Sequence, residues 1–107
     1  MYIIIAGGGD LGFYLAQILL DEEHDVIIVE KDEKICEKIT SELDLVVIKG
    51  DATETKTLEK AGIKESDALV ALTGQDETNM VISLLAKELG AKNVATRIGK
   101  IEYDETV

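Results

Sequence analysis

The run Tyr2-Ile3-Ile4-Ile5-Ala6-Gly7-Gly8-Gly9-Asp10-Leu11-Gly12 limits the possible folds of this chain more than any other stretch. An apolar strand passes directly into Gly-x-Gly-x-x-Gly, and a helix must start inside that turn. In such a unit the first glycine, Gly7, permits the sharp bend. The second, Gly9, lets backbone approach phosphate oxygens, and the third, Gly12, lets helix and strand pack closely. The helix N-terminus then presents unpaired N–H groups and a positive dipole end to an anion. Glycine clusters also make ordinary turns, so the flanking sequence decides between the two. Asp21-Glu22-Glu23-His24-Asp25 interrupts the helix, Val26-Ile27-Ile28-Val29 reads as a second buried strand, and Glu30 closes it 18 residues after Gly12. An acidic side chain at that place accepts hydrogen bonds from ribose hydroxyls. The expectation is a nucleotide-binding βαβ unit.

The remainder alternates short apolar runs with helical segments, as a parallel sheet covered on both faces requires. Leu11, Tyr14, Leu15, Ile18 and Leu19 repeat at helical spacing and predict the buried face of the first helix. Ile35, Ile39 and Leu43, with Cys36 beside them, predict that of the second. Strands are expected at Leu45 to Ile48, Ala68 to Leu72 and Asn93 to Ile98. Between the first two of these, Thr53 or Thr55 caps a short helix that ends near Gly62. A further helix runs from about Asp76 to Leu89 and stops at Gly90. Right-handed crossovers give a Rossmann-like, doubly wound α/β sheet of order 3-2-1-4-5. Glu23 stands where a glycine would most easily take positive φ, which predicts a strained turn. Residues 101–107 read as the first turns of a helix, and no sixth strand follows, so we expect residues 1–107 to be one domain that continues beyond this C-terminus.

With 22 acidic and 11 basic residues the net charge is −11. That disfavours nucleic acid and anionic membrane surfaces, whose affinity comes mainly from Lys and Arg. A nucleotide would have to be held by local amides and a few cations against an unfavourable overall field, so binding should tighten as salt rises modestly. No apolar run approaches the roughly 20 residues of a membrane helix, and the N-terminus lacks a cationic secretion signal, so a cytoplasmic location is expected. The single cysteine, Cys36, agrees with a reducing compartment and reads as packing.

Taken together, the glycine loop, Glu30, Gly50-Asp51-Ala52-Thr53, Ala71-Leu72-Thr73, Ala95-Thr96-Arg97-Ile98 and the pattern Thr-x-x-Asp-Glu-x-Asn from Thr73 to Asn79 resemble the KTN domain. This is the N-terminal part of RCK domains, also called TrkA-N, which serve as cytoplasmic regulators of potassium channels and of Trk/Ktr-type potassium uptake. The resemblance implies binding of NAD(H) or of ATP/ADP. It also implies a homo-dimer or larger ring whose ligand-dependent rearrangement opens or closes the pore of a membrane subunit. Carried over by position, Gly7, Gly9, Asp10 and Leu11 surround the phosphates, within a loop completed by Gly8 and Gly12. Glu30 takes the adenosine ribose, and Asp51 and Ala52 meet the adenine edge. Thr73 and Gly74 lie over the distal half, and Arg97 reaches a distal phosphate or the nicotinamide side.

Residue chemistry is compatible with each role. Asp51 can accept from an adenine amino group, and Ala52 can offer its N–H to a ring nitrogen. Arg97 is the sole arginine, and its planar fork suits phosphate. Glu30 should repel a 2′-phosphate, which adjacent Lys31 would soften. Plainer roles compete: Asp51 as a turn carboxylate, Thr73 or Asp76 as a helix cap, Arg97 in a surface ion pair. Asp10 must point away from incoming phosphates or weaken their binding. Catalysis is not expected. The only histidine, His24, falls at the amino end of the second strand, and nothing supplies an acid–base group near a nicotinamide. The alternatives to a sensor are the cofactor half of an NAD-dependent oxidoreductase and an interaction module with an empty pocket.

Overall fold

The computed structural model describes residues 1–99. The sequence expectations for 101–107 fall outside that range. The elements are β1 (Tyr2–Ala6), α1 (Asp10–Asp21), β2 (Asp25–Glu30), α2 (Glu33–Glu42), β3 (Val46–Lys49), α3 (Thr55–Lys60), a 3-10 turn (Ile63–Glu65), β4 (Ala68–Ala71), α4 (Asp76–Leu89) and β5 (Val94–Thr96). All strand pairs are parallel, in the order β3-β2-β1-β4-β5. The register aligns Ala6 with Val29 and with Ala71, Glu30 with Lys49, and Ala71 with Thr96. Every strand therefore releases its chain on the same rim. From β1 the sheet grows leftward to β2 and rightward to β4, and the switch opens a crevice between the two departing loops.

One face of the sheet packs Ile3, Ile5, Val26 and Ile28 against Ala16 of α1 and Ile39 of α2. The other packs Ile4, Ala6, Val29 and Leu69 against Leu58, Ile63, Ile82 and Ala86. Ile4, Ile5, Ile28, Ile39, Leu58, Leu69 and Ile82 are essentially sealed from water. Each contributes about 1.5–3 kcal/mol of burial.

Several element boundaries differ from the sequence expectation. Strand β5 is shorter at both ends, β3 is shifted by one residue, and the short α3 has Glu54 at its N-cap with no side-chain cap from Thr53 or Thr55. The larger correction concerns α1. Its buried residues are Gly12 and Ala16, whereas Leu11, Tyr14 and Ile18 are exposed. The helix lies so close to the sheet that a Cβ on Gly12 would strike the Gly7 carbonyl. Gly12 and Ala16 therefore form the centre of its inner face, flanked by Phe13, Leu15, Leu19 and Leu20, so the expectation holds for Leu15 and Leu19 and fails for Leu11, Tyr14 and Ile18. Glu23 does take φ 66°, the one non-glycine residue in the left-handed region among those described. Gly62 and Gly90 end their segments at φ 82° and 115°.

Candidate functional site

The crevice at the switch point is a cleft of about 480 Å³, lined by Gly7, Gly9, Val29, Glu30, Lys31, Ile35, Gly50, Asp51, Ala52, Leu72, Thr73, Gly74, Gln75, Thr78 and Ile82. Eight of the thirteen residues named from the sequence meet here: Gly7, Gly9, Glu30, Lys31, Asp51, Ala52, Thr73 and Gly74. Arg97 lines an adjoining depression with Gly74, Gln75, Asp76, Glu77 and Gly99. Gly8, Asp10, Leu11 and Gly12 line neither of these two hollows; Asp10 and Leu11 face solvent, and Gly8 and Gly12 are buried.

The three motif glycines and the one between them have different reasons to be glycine. Gly7 turns at φ 113°, and a Cβ there would sit 2.8 Å from the Leu72 carbonyl. Gly8 donates its N–H to Glu30 Oε1 at 2.7 Å, and a Cβ there would collide with Ile39. Gly12 sets the approach of α1 to the sheet. Gly9 alone has nothing within 4 Å of a Cβ. No packing contact requires glycine at that position, which lines the cleft and is exposed.

Gly9 is also the N-cap of α1, with no side chain bonding the helix end. The first backbone bond of the helix runs from Phe13 N to the Gly9 carbonyl at 2.8 Å. The amides of Asp10, Leu11 and Gly12 precede it and have no intrahelical acceptor. They end beside the cleft with the positive pole of the helix dipole. The next helix is different: Asp32 caps α2 by accepting from Ile35 N at 3.1 Å.

Glu30 is clamped by two amides. Its second oxygen accepts from Asp32 N at 2.9 Å, which fixes the carboxylate between the glycine loop and the start of α2. Glu30 itself lines the cleft. Cys36 Sγ donates to the Glu30 carbonyl at 3.3 Å, and burial, with the nearby Glu30 charge, pushes its thiol pKa up. It is a packing thiol and stays protonated.

Asp51 Oδ1 accepts from both the amide (2.9 Å) and the hydroxyl (2.7 Å) of Thr53. The Thr53 hydroxyl, then its amide, hold the Asp51 pKa below the usual carboxylate range, and the Lys31 charge adds to this. One oxygen thus builds the turn and the other stays available to a ligand. Thr73 is committed to its own surroundings. Its amide (2.8 Å) and hydroxyl (2.6 Å) both donate to Asn79 Oδ1, and the hydroxyl accepts from Gln75 N at 3.3 Å. Helix α4 takes no side-chain cap at Gln75, and Asp76 Oδ1 accepts instead from Gly99 N at 2.9 Å.

An open loop glycine, a helix head without a side-chain cap, a carboxylate held by two amides and a parallel switch-point crevice are common to many families of this fold, and the whole sequence decides among them. The model of the TrkA-N domain matches residues 3–107. The chain belongs to the TrkA-N domain family. It is 48% identical over 103 residues to a Trk system potassium uptake protein TrkA homolog of Archaeoglobus fulgidus, covering 96% of this chain and 23% of that protein. A TrkA homolog of Methanothermobacter thermautotrophicus is 39% identical over 105 residues, covering 98% and 49%. This TrkA-N domain therefore spans about half or less of the length of these relatives. Among solved structures, the Kef CTD of Shewanella denitrificans in AMP-bound form superposes with a TM-score of 0.79 at 24% identity, covering 94% of this chain and 60% of that one. That likeness establishes a common fold.

Sequence reasoning overlooked Asn79 as a site residue. It is fully buried and joins Thr73 to the end of β5, donating through Nδ2 to the carbonyls of Thr73 and Arg97 at 3.1 Å each. The available signal was a polar residue on the inner stripe Asn79, Ile82, Ala86 of α4, where helical periodicity calls for an apolar one. His24 lies on the opposite rim, with Nδ1 3.1 Å from the N-terminal amine.

Proposed function

We propose that this domain is a nucleotide sensor that binds an adenine nucleotide, either NAD(H) or ATP/ADP, in the switch-point cleft. Within a longer protein it would regulate a potassium channel or Trk/Ktr-type membrane subunit from the cytoplasmic side. The uncapped head of α1 beside the open space at Gly9 carries this reading. A diphosphate supplies the acceptors that the amides of residues 10–12 lack, and the helix dipole compensates for the acidic surface. Glu30, fixed by Gly8 and Asp32, accepts the ribose hydroxyls with its free lone pairs. Asp51 and Ala52 border the adenine end, and Lys31 offsets their local negative charge. Gly74 and Arg97 extend the site toward a second phosphate or a nicotinamide.

A sensor acts through different affinities for two states of an assembly. Loops from β1, β2, β3 and β4 all border one cleft, so a single ligand bridges them and alters the orientation preferred by packed copies in a dimer or ring. The relatives named as TrkA proteins and the AMP-bound Kef domain support the choice of ligand class and of partner.

The test is parallel calorimetric titration of AMP, ADP, ATP, NAD, NADH and NADP into one nucleotide-stripped preparation. At least one adenine nucleotide should bind saturably, and NADP should bind at least about tenfold more weakly than NAD because its 2′-phosphate meets the Glu30 carboxylate. No heat with any of them would reject the reading.

A further inference from the structure

Asn79 is the only fully buried side-chain amide among the described residues, and its four hydrogen bonds go to two separate segments at the distal end of the cleft. Oδ1 accepts from the Thr73 amide and hydroxyl, and Nδ2 donates to the Thr73 and Arg97 carbonyls. The orientation is dictated by chemistry, because the reverse would set Nδ2 against the Thr73 N–H and leave both carbonyls without a donor. Arg97 N in turn donates to the Ala71 carbonyl at 3.1 Å, the last regular bond between β5 and β4. Beyond it, the chain leaving β4 toward Gly74 and the chain leaving β5 toward Gly99 are held together by the Asn79 side chain and by the bond from Gly99 N to Asp76. Gly74 and Arg97 are both exposed on the adjoining depression, and a ligand must meet them at a fixed separation to use both.

We propose that Asn79 is a positioning residue that sets this separation. It thereby favours nucleotides long enough to reach past the adenosine half over those that stop there. The proposal rests on the nucleotide-sensor reading. A buried amide that spends every donor and acceptor on two backbones fixes their relative position far better than an apolar residue of similar size. The near half of the cleft, with Gly9, Glu30 and Asp51, makes no bond to Asn79. Its ligand contacts should not depend on it.

The full chain is titrated with AMP and with NAD as wild type, Asn79→Ala and the milder Asn79→Ser, and amide hydrogen exchange is followed in the ligand-free proteins. We expect NAD affinity to fall at least about tenfold in a variant that remains folded while AMP affinity changes less than about threefold. A general loss of packing would weaken both ligands alike. In the ligand-free variants the Thr73 and Gly99 amides should exchange faster, and the Gly7 and Gly8 amides should not. Equal losses for AMP and NAD, or no loss for either, would overturn the proposal. Should wild type bind none of the adenine nucleotides titrated above, the sensor reading fails on its own account. The exchange data then still judge the clamp, and unchanged protection at Thr73 and Gly99 would reject it.

Discussion

The two loops that flank the crevice start from equivalent places in the sheet and treat their polar groups in opposite ways. After β1, the chain enters α1 through Gly9 with no capping side chain, and the amides of Asp10, Leu11 and Gly12 have no acceptor within the helix. After β4, the Thr73 amide and hydroxyl, the Gln75 amide and the Asp76 carboxylate are all engaged within the protein. Both loops lead into helices of similar length, so geometry alone does not make the difference. It lies in what the residues offer: four glycines, Asp10 and Leu11 across 7–12 on one side, against Thr73, Gln75, Asp76 and Asn79, which bond one another's segments, on the other. A site that must grip a charged group and also keep a fixed shape benefits from this division. On the proposed reading, one side supplies donors to a phosphate and the other a fixed surface that meets the distal part of the ligand.

Substitutions at Gly9 and Gly12 test that division most strongly. Gly9→Val should leave thermal stability within about 1 kcal/mol of wild type, since its side chain enters open space, yet reduce adenine nucleotide affinity by more than about a hundredfold. Calorimetry combined with a melting curve checks both. Gly12→Ala should do the reverse at first sight, destabilising the fold by about 2–3 kcal/mol by driving α1 off the Gly7 carbonyl. Urea titration would measure it. Equal behaviour of the two variants would erase the distinction drawn between an open and a packed glycine.

Glu30→Ala sits between these extremes. It removes the acceptor of the Gly8 and Asp32 amides as well as the expected ribose contact, so stability and nucleotide affinity should each fall by about 1–3 kcal/mol. A drop in affinity with unchanged stability would show that the clamp on the glycine loop is not needed to hold it. The smallest effect concerns pH. The Asp51 pKa is depressed by the Thr53 hydroxyl and amide, so Asp51 contributes stability that is complete above the unfolded carboxylate value near pH 4 and is lost as pH falls through its lower folded value. Asp67, lowered chiefly by the Tyr2 amide, acts in the same direction on the opposite rim. Thr53→Ala should therefore lower stability by a constant amount above about pH 6, and the difference from wild type should close as pH falls below about 4. Urea midpoints across that range would reveal it.

The sheet was legible in the sequence because β1, β2 and β4 are continuous apolar runs bounded by polar turns, and because the glycine loop fixes where the first helix must start. The inner face of α1 was legible only in part. Periodicity found Leu15 and Leu19, which pack on the core, but missed Gly12 and Ala16, which close packing put at its centre. Gly7, Gly9 and Glu30 could be named from motif spacing, and Asp51, Ala52, Thr73 and Gly74 from the family resemblance; all line the cleft, since backbone and short side chains at strand ends have little freedom of placement. Asn79 and the double engagement of Glu30 were hidden, because both depend on contacts between segments distant in sequence. Glu30 reaches Gly8 across 22 positions and Asn79 reaches Arg97 across 18.

The most direct measurement is to follow the backbone amide resonances of the ¹⁵N-labelled domain while ADP is added. The account predicts that the largest downfield shifts appear at Gly9, Asp10, Leu11 and Gly12, with smaller ones at Lys31, Ala52 and Gly74. Shifts gathered around His24, Asp25 and Asp44 on the far rim, with residues 9–12 unmoved at saturation, would contradict it.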